Sequence, residues 1–201
     1  MRGRIFTIVG VAAMLGCSGT SVRKEGPSRT ATLATGTTQE GLIVRQSDLD
    51  GDGKPDLLSY YREEPGLEGT KQQVLVRKTM DVNQDGKMDM TQEYDARGRL
   101  AREELDMDFD GRPDAVRFYE NGQLVREEIS SRFDARFDVR KFYENGALVL
   151  KTVDTSRTGR FDEYQYFVGN QLTRIGWDRD GDGKPEVFED NPAAAPDAGP
   201  R

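Results

Sequence analysis

Histidine is absent from this chain of 201 residues, and cysteine and tryptophan each occur once. Without histidine, neither a Ser-His-Asp triad nor a histidine-ligated zinc site can be assembled, and a lone cysteine forms no disulfide within the chain. No Gly-rich phosphate loop occurs, so a nucleotide is not an expected ligand. Catalysis would have to rest on carboxylates alone, as in glycoside hydrolysis. A carboxylate-based hydrolase is therefore the remote alternative, and the chain is not expected to be an enzyme. Apolar residues are scarce as well, at 35% hydrophobic against 32% charged, which is lean for a thick core. The net charge of −7 argues against nucleic acid as a partner.

The one long apolar run, Ile5 to Leu15, follows Arg2 and Arg4 and ends at Gly16 and Cys17. It is too short to span a bilayer and has the layout of an export signal. Met14-Leu15-Gly16-Cys17 resembles the lipobox of bacterial lipoproteins. That resemblance implies lipidation of Cys17, membrane attachment through several acyl chains and, with Ser18 next, location at the outer membrane. The alternative is a plain secretory signal with an incidental cysteine. Residues 1–17 are thus expected to be a signal peptide. Residues 18–40, rich in Ser, Thr and Gly, are expected to be a flexible tether. A folded domain is expected over 41–190 and a disordered Pro- and Ala-rich tail over 191–201.

Aspartate is abundant, and it recurs in a fixed pattern. Four nine-residue runs place oxygen donors at positions one, three, five and nine with glycine at six: Asp48, Asp50, Asp52 and Asp56; Asp81, Asn83, Asp85 and Asp89; Asp106, Asp108, Asp110 and Asp114; Asp178, Asp180, Asp182 and Glu186. Position seven, occupied by Lys54, Lys87, Arg112 and Lys184, offers its main-chain carbonyl, and Glu189 stands at position twelve of the last run. A hard cation takes six to eight oxygens at about 2.3–2.6 Å, so Ca2+ is the expected ligand. An Asx-turn connector without an ion is the bland alternative. Four like charges in one turn repel by about 1 kcal/mol per close pair even in water, and an empty loop is expected to leave that repulsion uncompensated. The runs beginning at Ser130 and Asp154 have too few acids for an ion, and Arg132 is expected to supply a fixed positive charge instead.

These loops punctuate a repeat of about 24 residues, seen most clearly where Phe118-Tyr119-Glu120-Asn121-Gly122 aligns with Phe142-Tyr143-Glu144-Asn145-Gly146. Asn-Gly between apolar and β-branched runs is a hairpin signal, because both turn residues must accept positive φ. A two-residue turn at Asn121-Gly122 would set Tyr119 opposite Leu124 and Phe118 opposite Val125. The expected fold is all-β, an antiparallel meander of about 10–12 short strands in one long twisted sheet, with a curled barrel or a sandwich as alternatives.

EF-hands do not fit. The spacers are too short for two helices, and position eight is Pro55, Pro113 and Pro185 in three copies, which removes the amide that paired EF-hands use. The loops resemble the D-x-D-x-D-G-x-x-D loops of integrin-type propellers and thrombospondin type 3 repeats. The hairpins resemble YD-type repeats, most closely at Tyr94-Asp95-Ala96-Arg97-Gly98-Arg99-Leu100. Together these readings lead to the expectation of a calcium-stabilised envelope lipoprotein, structural or partner-binding, whose partners are other envelope proteins or a polysaccharide. A calcium-responsive binding module is the alternative. Tyr60, Tyr61, Tyr119, Tyr143, Tyr164 and Tyr166 are expected as cross-strand packing partners, with an exposed binding surface as the second reading.

Overall fold

The computed structural model describes residues 31–38 and 40–191. The expected signal peptide with Cys17, most of the expected tether and the expected tail beyond Asn191 lie outside the described residues. Thirteen strands form one open antiparallel sheet in strict sequence order. They are β1 (Ala31–Thr37), β2 (Ile43–Asp48), β3 (Leu57–Pro65), β4 (Lys71–Met80), β5 (Met90–Tyr94), β6 (Leu100–Leu105) and β7 (Ala115–Glu120). The remainder are β8 (Gln123–Ile129), β9 (Val139–Glu144), β10 (Ala147–Val153), β11 (Glu163–Val168), β12 (Gln171–Trp177) and β13 (Val187–Asp190). The fold is the all-β twisted meander, neither closed into a barrel nor doubled into a sandwich. The count exceeds expectation because β13 follows the last aspartate loop and β1 falls within 18–40, where a tether was expected.

Hairpin turns lie along one long edge and aspartate loops along the other. Asn121 and Gly122 have φ of 54° and 79°, and Asn145 and Gly146 have 51° and 80°, the doubly positive geometry that suits the twist of a two-residue hairpin. Tyr119 pairs with Leu124 as the spacing predicts, but Phe118 faces Arg126 instead of Val125. A β-bulge absorbs Val125. The same slip recurs in the hairpins β5–β6, β9–β10 and β11–β12, two or three residues from the turn, and in β3–β4 farther along the strands, where Val76 is the extra residue. A bulge adds a residue to one strand and sharpens local twist. The correction moves cations over rings: the Arg126 guanidinium lies 4.0 Å from the Phe118 centroid, and that of Arg77 lies 4.1 Å from Tyr60.

The sheet is a single layer with little apolar interior. Among the described residues only Ala115, Val116 and Val139 are buried apolar side chains, against thirteen buried polar or charged ones. Much of the cross-strand cohesion is polar. On one face Arg117 bridges Glu103 at 3.0 Å and Glu127 at 2.9 Å, and Lys141 reaches Glu127 at 3.0 Å. Tyr119 and Tyr143 each donate to one of these glutamates at 3.4 Å. Burial disfavours ionised Glu127, yet Arg117 and Lys141 hold its pKa below the ordinary value.

Candidate metal centres

Each loop starts where one strand ends and closes on itself through a single backbone bond. The amide of position nine donates to the carbonyl just before position one: Asp56 to Ser47 at 2.9 Å, Asp114 to Leu105 at 2.7 Å and Glu186 to Trp177 at 3.0 Å. The loops are also stitched to one another. The amide of position one donates to the position-nine carbonyl of the preceding loop, Asp81 to Asp56, Asp106 to Asp89, Ser130 to Asp114, Asp154 to Asp138 and Asp178 to Asp162, at 2.7–3.0 Å.

Within a loop the first carboxylate organises the turn. Asp48 accepts from the amides of Gly51 at 2.6 Å and Gly53 at 3.0 Å, and these bonds, that of Gly51 foremost, hold its pKa below the ordinary aspartate value. Asp106 and Asp178 repeat the arrangement. The ninth carboxylate takes the amides of positions two and three, as when Leu49 and Asp50 donate to Asp56 Oδ2 at 2.6 and 3.3 Å. The loop's own amides therefore compensate much of the repulsion that was expected to go unopposed. Both amides land on Oδ2, and neither occupies Oδ1.

Three loops bring the carboxylates of positions one, three and nine together with one oxygen from each within 4.8 Å: Asp48, Asp50 and Asp56; Asp106, Asp108 and Asp114; Asp178, Asp180 and Glu186. These clusters could hold a metal ion, and an all-oxygen donor set suits a hard cation. Asp108 feels the crowding of these carboxylates. Desolvation first, then the neighbouring charges of Asp110, Asp114 and Asp106, push its pKa up.

The remaining expected ligands fall outside these three groupings. The position-five carboxylates Asp52, Asp110 and Asp182 are not members of the three clusters; each accepts the amide of position seven, from Lys54, Arg112 and Lys184 at 2.7–2.9 Å. Asp85 does the same with Lys87 at 2.9 Å, and that bond lowers its pKa. In the loop from Asp81 the third residue is Asn83, an amide where the three clusters have a carboxylate, and Asn83 Oδ1 accepts from the Asp85 amide at 3.0 Å. Glu189 lies on β13, paired with Ile175 and outside the cluster that ends at Glu186.

The two acid-poor loops close through the same backbone bond, Asp138 to Ile129 and Asp162 to Val153 at 3.0 Å, and add side-chain partners to the ninth carboxylate. Arg132 Nη1 lies 3.4 Å from Asp138 Oδ2, and Ser131 donates to Asp138 through both amide and hydroxyl at 2.7 Å. Burial raises the Asp138 pKa, but these partners outweigh it and hold it below the ordinary value. In the loop from Asp154, Thr155 and Ser156 hold Asp162 in the same way. A second positive-φ position was invisible in the motif. Position four has φ of 89° at Gly51, 65° at Gln84, 65° at Phe109, 57° at Phe133, 60° at Arg157 and 80° at Gly181. Glycine there in two copies is the only trace of it in the sequence.

No family model matches the chain. Nor does any curated protein match it.

Proposed function

We propose that this chain is a non-enzymatic, calcium-stabilised lipoprotein of the bacterial envelope, attached to the outer membrane through Cys17 and serving as a structural or partner-binding element. The observation that carries this reading is the pairing, among the described residues, of three convergent carboxylate clusters with a sheet that buries only three apolar side chains. Asp48, Asp50 and Asp56, then Asp106, Asp108 and Asp114, then Asp178, Asp180 and Glu186 would hold one Ca2+ each. A bound Ca2+ supplies positive charge and coordination bonds, which tie a loop to the hairpins on either side where apolar burial is too thin to do so. Extracellular calcium modules bind with Kd of about 10⁻⁴–10⁻³ M. At tenfold excess over Kd each ion adds roughly 1.4 kcal/mol, so three add about 4, a large part of a domain's usual stability of about 5–15 kcal/mol.

Melting in calcium and in EDTA tests this directly, with Trp177 emission as a second signal because Trp177 immediately precedes Asp178. If EDTA leaves both unchanged, calcium has no structural role. The second reading, a calcium-responsive module that binds a protein or polysaccharide, is favoured by the lack of a second layer on either sheet face among the described residues. Recovery from membranes in calcium and in chelator separates the two, because a binder returns a defined partner only with calcium.

A further inference from the structure

We propose that the sheet face carrying Tyr119 and Leu124 is an interface between two copies of this chain, packed face to face about a two-fold axis that runs along the strands. The inference is independent of the calcium reading. On that face the six central strands, β5 to β10, align their side chains in three cross-strand rows. Beside the aspartate loops the row is apolar throughout: Met90, Leu105, Ala115, Ile129, Val139 and Val153. The middle row is polar, with Gln92, Glu103, Arg117, Glu127, Lys141 and Lys151, and the turn-side row alternates Tyr94, Leu100, Tyr119, Leu124, Tyr143 and Leu148. The other face differs. Its row of Thr91, Glu104, Val116, Glu128, Arg140 and Thr152 holds a single hydrocarbon side chain, Val116. An antiparallel sheet commonly sets one apolar face against a core and leaves the other in water, yet the described residues supply no second layer here.

What fits this face is the same face turned over. The axis passes between β7 and β8 and lays β7 on the second copy's β8, β6 on its β9 and β5 on its β10. Arg117 then meets Glu127, Glu103 meets Lys141 and Gln92 meets Lys151, so no two like charges are opposed. In the turn-side row every tyrosine meets a leucine: Tyr119 on Leu124, Tyr143 on Leu100 and Tyr94 on Leu148. A two-fold axis across the strands would set every residue on itself, Glu127 against Glu127. Glu103, Arg117, Glu127 and Lys141 are already paired within one sheet, so they enter the interface neutralised. Lys151 is not. It stands opposite Lys141 and has no ion pair among the described residues; the two-fold brings it beside the second copy's Glu103, the neighbour of Gln92 in the row. Six strands about 4.8 Å apart and three rows about 7 Å apart cover roughly 600 Å² on each copy. The total of about 1,200 Å² reaches the lower bound for a stable interface. Aligned sheets cross at about 30°, so the match is tightest at the axis.

Sedimentation velocity of the full chain in density-matched detergent, with calcium present, reads the association, and dimer should appear as concentration rises. Lys151→Glu separates interface from fold. It gives Lys141 an opposite charge in its own sheet, so the melting temperature of the dilute monomer should hold or rise. The same change sets an acid beside the second copy's Glu103 and should weaken the dimer about tenfold. Leu124→Glu should abolish association, while Thr91→Lys on the other face should leave it intact; circular dichroism checks that each variant is folded, and Lys151→Glu decides if Leu124→Glu is not. A chain that stays monomeric at every concentration overturns the proposal. So does a dimer that Lys151→Glu leaves unweakened, or one that Thr91→Lys weakens as much. Calcium without effect on melting would remove the calcium reading and leave this interface standing.

Discussion

Arg132 and Asp138 form an ion pair, Nη1 to Oδ2 at 3.4 Å, between positions three and nine of their loop. In three other loops those two positions are both carboxylates that converge on one point. The chain thus holds two solutions to one problem: a loop that leaves room for an outside cation and a loop with its cation built in. Replacing both Ser130 and Arg132 with Asp should convert the second kind into the first and raise the calcium stoichiometry by one in a calorimetric count. Arg132→Ala alone should cost about 1 kcal/mol, measured by denaturant melting, because Asp138 keeps its serine bonds.

Positions within one loop should differ in weight. Asp114→Asn removes a cluster member that also accepts the amides of Met107 and Asp108, so calcium affinity at that loop should fall at least about tenfold, taking the loss as one charge-assisted contact. Asp110→Asn, outside the cluster, should have the smaller effect. Isothermal titration of the two variants decides, and equal losses would bring position five back into the ligand set.

Asp108 offers a test with opposite signs. Its raised pKa means that its ionised form is disfavoured in the metal-free fold, so Asp108→Asn should raise the melting temperature in EDTA. The same change should lower calcium affinity. A loss of stability in both conditions would contradict this.

Acid should unfold the protein. Glu127, Asp138 and Asp162 all have folded-state pKa values below their ordinary ones. Their contribution is complete above the ordinary carboxylate range and is lost as pH falls through the lowered values, below about pH 4. Glu127→Gln should remove part of that dependence and cost about 1–2 kcal/mol through Arg117 and Lys141. Circular dichroism across an acid titration in EDTA reads both effects.

Strain at position four is also measurable. Phe109→Gly should stabilise the metal-free protein by up to about 1 kcal/mol, since glycine accepts φ of 65° at no steric cost. Gly111→Ala, at φ of 92°, should destabilise it by a similar amount.

The regular features were legible because each rests on a local rule. Asn-Gly reports a turn whose two residues need positive φ, the apolar and β-branched runs on either side of it report strands, and the recurrence of Phe-Tyr-Glu-Asn-Gly reports the meander. Carboxylates at positions one, three and nine could be read the same way, because a nine-residue loop with one sharp turn leaves few places for them to go. The bulge that sets Phe118 against Arg126 could not. Register depends on whole-strand pairing, and one extra residue costs little where neither face is sealed against a core.

Sequence alone determined the all-β class, the repeat, the turn edge and the loops that carry convergent acids, since these follow from backbone sterics and from charge spacing within a few residues. Tertiary structure decided the open single layer, the stitching of each loop to the last through Asp56, Asp89 and their successors, the exclusion of Asp52 and Glu189 from the clusters, and the pairing of Arg132 with Asp138. Those outcomes turn on which strands pair and which groups the assembled backbone brings side by side, and no rule local to a few residues sets that.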